Sequence, residues 1–133
     1  MKPIKEMDNL KKETKKALKK LYKNLQKRDA IITEESKDQA MRHTPTEGMN
    51  KANEKFRKFL VKQEKFILID IATILDIGKE KPKDAQKLFK TNKQVRVESK
   101  TFKQVLNEII NTQDLQDTLD EGLSIIDQQK VNL

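Results

Sequence analysis

Cysteine is absent from the sequence. That excludes a disulfide framework and thiolate metal sites, and it fits a reducing compartment. Histidine occurs once, at His43, with no second ligand type beside it, so no metal site is expected. Only three glycines are present, and none belongs to a phosphate-cradling loop. No nucleophile motif or metal-ligand cluster stands out either. The sequence therefore predicts a protein that is not an enzyme and needs no cofactor. The longest apolar-rich run, 66–77, contains Asp70 and Asp76 and falls well short of the roughly 20 apolar residues that span a bilayer. The first 30 residues lack the continuous apolar core of a signal peptide. These absences predict a cytoplasmic protein with no membrane association.

What is present is charge. Charged residues make up 38% of the 133 positions and hydrophobic ones 35%, with a net charge of +8. Such a chain is expected to build a thin core, as one modest domain or as a small domain with an extended arm. The charge is uneven. Residues 1–50 carry 13 Lys/Arg against 8 Asp/Glu, and 79–103 carry 9 against 3, whereas 104–133 carry 1 against 6. The basic segments suit a polyanionic partner and the acidic tail does not.

The pattern predicts a basic helical arm over 1–32, a linker over 33–49, a helical region over 50–91, a carboxy-terminal unit over 93–127 and a short tail over 128–133. In the arm, a helix over 8–29 has the apolar stripe Leu10, Ala17, Leu18, Leu21 and Leu25. Lysines at 11, 15, 19, 23 and 27 form one i,i+4 lane, and Lys12, Lys16 and Lys20 a second. Like charges at that spacing repel, so salt, an acidic helix or nucleic-acid phosphate must offset them. Lys12, Lys16, Lys19 and Lys20 are the candidates for non-specific nucleic-acid contact. The plainest reading of the lane is a solvated helix with a narrow packing stripe, and a protein partner is a further alternative; for a membrane surface it lacks bulky apolar anchors.

In the linker, Pro45 and Gly48 act as breakers. A helix is expected from an Asn50 cap to Gly78, with Asp70, Thr73 and Asp76 as its exposed polar edge. Those two aspartates lie six residues apart with no base or nucleophile near them, so they do not suggest catalysis. A further helix restarts after Pro82 with Ala85, Leu88 and Phe89 on its apolar face.

From Lys93 the period changes. Val95 and Val97 alternate with Gln94, Arg96 and Glu98, the pattern of a half-buried strand. Phe102, Val105, Leu106, Ile109 and Ile110 then follow helical spacing, with Ser99 as a cap. Asp114 is the expected cap of a second helix lined by Leu115, Leu119, Leu123 and Ile126, with Gly122 on the same side. A lone strand needs a partner, and a two-fold dimer supplies one.

The stretches "VRVESKTFKQVLNEI" and "DLQDTLDEGLSII" resemble the strand, first helix and second helix of the ribbon-helix-helix family of bacterial DNA-binding proteins. The resemblance covers 93–127. It implies a mainly α fold with one strand, a homodimer, and double-stranded DNA as partner. The paired strands would enter the major groove and read base edges through Gln94 and Arg96, while Lys93 and Lys100 contact phosphate. By that resemblance the protein would be a transcriptional regulator, a partition protein or a DNA-processing accessory factor. Residues 69–97 are also similar to the S4-type RNA-binding module in the spacing of Asp70, Leu75, Gly78, Ala85, Leu88, Val95 and Val97. A third reading is a non-enzymatic helical scaffold or inhibitor that meets a protein through the lysine-rich helix.

Overall fold

The computed structural model describes residues 4–37 and 45–132. Among these residues the chain is helical throughout, with six α-helices, a 3-10 turn at Ile4–Glu6 and no strand. The helices are α1 (Lys12–Lys37), α2 (Glu47–Val61), α3 (Lys65–Glu80), α4 (Ala85–Ser99), α5 (Phe102–Ile110) and α6 (Leu115–Gln129).

Helix α3 is the centre. Its sequence, KFILIDIATILDIGKE, is apolar almost all the way round, which is tolerable only for a helix enclosed by others. Helices α1, α4, α5 and α6 enclose it, and Leu68, Ile71, Ile74 and Ile77 have no exposed surface. The α3–α6 crossing is close because glycines face each other's backbones. A Cβ on Gly78 would fall 2.0 Å from the Thr118 carbonyl oxygen, and one on Gly122 would fall 2.3 Å from that of Ile74. Gly78 therefore lies inside α3 as a contact point rather than ending it, and Lys81 ends it in the left-handed region.

Helix α1 is packed into the core rather than extended as an arm. Leu18, Leu21 and Leu25 are fully buried within the same core cluster as α3. The Tyr22 hydroxyl ties it to α6 by donating to Asp120. Helix α2 lies alongside α1, with Ala52, Phe56 and Leu60 as its buried face.

Several expected boundaries move. The helix expected over 50–78 is two helices broken at Lys62–Glu64, and Thr46 rather than Asn50 caps the first by accepting from the Met49 amide. Residues 33–37 of the expected linker belong to α1. His43 lies outside the described residues. Thr101, not Ser99, caps α5, in a reciprocal capping box with Gln104. Asp114 sits at the start of α6 in the left-handed region and makes no side-chain cap.

The largest correction concerns residues 93–98. They form the last turns of α4 and not a strand, so residues 93–127 form no ribbon-helix-helix-like unit, and the strand that the S4-like alternative required at 93–97 is missing too. Val95 and Val97 do not point into a core; they are 49% and 52% exposed. The residue between them, Arg96, is the buried one, at 9%. Ala85, Phe89 and Arg96 share one helical face, at spacings of four and seven. With the segment helical, it offers no strand edge to a second copy, and the argument for a dimer through that edge lapses.

Candidate nucleic-acid interface

Two groups of cations were expected to meet nucleic acid, and their surroundings differ. The first is on α4. The Arg96 guanidinium donates from Nε to Glu108 Oε2 at 2.9 Å, from one terminal nitrogen to Asp76 Oδ1 at 3.0 Å, and from the other to Asp76 Oδ2. The same terminal nitrogen reaches Thr73 Oγ1 at 3.4 Å. Asn92 also donates to Asp76, at 3.0 Å. Burial pulls the guanidinium pKa down, but the hydrogen bonds to Asp76 and Glu108 outweigh it and hold the pKa above its ordinary value. Arg96 thus joins α3, α4 and α5.

Lys93 and Lys100 are occupied in the same way. Lys93 Nζ lies 3.0 Å from Asp70 Oδ1, whose other oxygen accepts from Thr14 at 3.2 Å. Asp70 is 1% exposed, so the polar edge expected to face solvent faces α1 and α4 instead. Lys100 sits 3.6 Å from Glu108, and the Gln94 amide donates to Glu98 one turn on. A cleft of about 310 Å³ opens here, lined by Asp76, Asn92, Val95, Arg96, Lys100 and Glu108. Its two cations face two carboxylates, so it presents no net charge to an incoming anion.

The second group is on α1. Lys12, Lys16, Lys19, Lys20, Lys23 and Lys27 are all exposed, and none forms an ion pair among the described residues. At about 3.6 residues per turn they share one arc of about 100°, opposite the buried stripe. Between Lys12 and Lys27 that arc holds lysine alone. It runs about 22 Å along the helix. The sequence anticipated Lys12, Lys16, Lys19 and Lys20 here; Lys23 and Lys27 complete the same stripe.

Among the described residues no cluster of His, Cys, Asp and Glu has the arrangement of a metal site. None of their helices is long and apolar enough to cross a membrane. No protein-family model matches the sequence, and no curated protein or solved structure matches it.

Proposed function

We propose that this protein binds nucleic acid without reading its sequence, through the outer lysine stripe of α1. One observation carries this: six exposed lysines in a single arc, none neutralised by a carboxylate among the described residues. Holding like charges that close is unfavourable in the free protein, and phosphate relieves the repulsion. Ammonium groups meet phosphate as point charges, which position a protein without distinguishing bases. The arc holds no Arg, Asn or Gln able to form a bidentate bond to a base edge. It also lacks the Trp, Phe or Leu anchors with which a helix lies in a lipid interface.

Fluorescence anisotropy against mixed-sequence duplexes at rising salt tests the proposal. The six α1 lysines alone contribute about −5 to the slope of log K against log salt, the same for unrelated sequences. Replacing all six lysines by Gln should abolish binding at moderate salt while circular dichroism stays unchanged. A wild-type protein that ignores the duplexes, or prefers anionic phospholipid vesicles at equal phosphate, overturns the proposal.

A further inference from the structure

The geometry points to a duplex, rather than a single strand, as the partner, held on both strands by a second lysine stripe on α2 beside that of α1. This inference rests on the α1 reading and specifies its ligand. Lys51, Lys55 and Lys58 on α2 and Lys62 at its C-cap, which keeps helical backbone angles, are all exposed and share an arc of about 60°. Lys55 and Lys62 form no ion pair among the described residues. Lys51 and Lys58 pair with Glu47 and Glu54 at 3.1 and 3.5 Å, but such exposed pairs are weak and give way to phosphate.

The border of this arc faces α1. Gly48 lies at that border, and a Cβ there would meet Glu35 Oε1 at 2.0 Å. Further along, the Arg28 guanidinium sits 4.7 Å over the Phe56 ring. These two contacts set an antiparallel register that brings Lys55 level with Arg28, and Lys62 level with Leu21. The α2 lysines are thus neighbours of Lys27 and Lys20, on the α2 side of the first stripe.

Packed helices lie about 8–10 Å apart. That separation falls between the widths of the minor groove, about 6 Å, and the major groove, about 12 Å, of a duplex. Flexible lysine side chains reaching outward from two helices packed side by side can meet the phosphates of both strands bordering a groove, whereas a single strand offers one line. Proteins that hold single strands stack bases on aromatic side chains, and neither arc contains one. On the other flank of α1, where Tyr22 meets Asp120, the outer face of α6 carries the exposed Asp117 and Glu121. Those carboxylates repel phosphate and direct the duplex toward α2.

The test compares full-length proteins on duplex and single-stranded DNA of equal length at one salt concentration. Wild type should prefer the duplex. K55Q/K62Q should lose about tenfold or more in duplex affinity, flatten the duplex salt slope by about two units, and keep its single-strand affinity. Lys55→Gln and Arg57→Gln remove the same charge two residues apart, but Arg57 lies on the opposite side of α2. Only Lys55→Gln should weaken duplex binding. Equal effects of the two, an unchanged K55Q/K62Q protein, or equal loss on both DNAs overturns this inference while leaving the α1 reading intact. A wild type that binds duplex and single strand equally does the same. Absence of binding to either DNA removes the α1 reading, and this one with it.

Discussion

The outer face of α1 and the inner face of α4 carry the same kinds of residue under opposite conditions. Lys93 and Arg96 on α4 and Lys100 at its C-cap are each met by a carboxylate from α3 or α5. On α1, six lysines project where no carboxylate of the described residues reaches them. Cations of the first kind hold helices together, and their removal strands buried acids. Those of the second kind are exposed and form no ion pair among the described residues. Net charge alone hides this division: in the basic segment 79–103, Lys93, Arg96 and Lys100 are already met by carboxylates.

The largest expected effect is on the α4 side. Arg96→Ala leaves Asp76 without its cation and Glu108 with Lys100 alone, and because both carboxylates are part-buried the cost falls at the low end for a broken buried pair, about 3 kcal/mol. Thermal unfolding should show a large drop in Tm, while duplex affinity, measured at a temperature where the variant is folded, stays at the wild-type value. A lost affinity in a folded Arg96→Ala protein would mean that the two faces are not independent.

Next comes the α3–α6 crossing. Gly78→Ala gains about 1 kcal/mol in helix propensity, but its Cβ meets a backbone carbonyl that cannot swing aside. Overpacking should win by about 1–3 kcal/mol, read as a shift of the denaturant midpoint. Gly48→Ala makes the contrast, since the atom in its way is the end of the flexible Glu35 side chain. There the propensity gain should prevail, raising stability by about 0.4–1 kcal/mol.

The seam between α1 and α6 predicts a pH dependence. Burial, together with the hydrogen bond to Asp120, pushes the Tyr22 hydroxyl well above its ordinary pKa. The native state therefore holds this proton more tightly than the unfolded chain does. Its contribution is fully present below about pH 10, the unfolded value, and is lost as pH rises further. Tyr22 is the only tyrosine, and tryptophan is absent, so tyrosinate absorbance reports it alone. That absorbance should appear together with loss of helical signal, and Tyr22→Phe should flatten the alkaline fall in stability.

Much of the helix pattern could be read from spacing. The stripe of Leu18, Leu21 and Leu25, the inner face of α6 and the near-continuous burial of α3 all follow from apolar periodicity. The end of α4 misleads because Val95 and Val97 alternate with polar residues, and β-branched pairs at period two suggest a strand. The competing signal was an arginine in register with Ala85 and Phe89. An arginine declares its burial only once its acids are found, and these lie 20 residues upstream, at Asp76, and 12 downstream, at Glu108. Asp70 deceives for the same reason, since its partners Thr14 and Lys93 come from other helices. The α2–α3 break at Lys62–Glu64 has no glycine or proline to announce it, and tertiary packing decides it. The α1 stripe was legible because exposure and like charge need no distant partner to be recognised.

The buried side of α4 carries cations that hold the fold and the outer face of α1 carries those proposed to meet a polyanion, and charge-matched pairs of substitutions test that division most directly. K16Q/K19Q and K93Q/K100Q each remove two positive charges. Their salt-dependent affinities for one mixed-sequence duplex are compared after both proteins are confirmed folded by circular dichroism. K16Q/K19Q should weaken binding and flatten the salt slope by about two units, while K93Q/K100Q should bind as wild type does and melt earlier. Equal losses from the two, or a loss confined to K93Q/K100Q, would contradict that division.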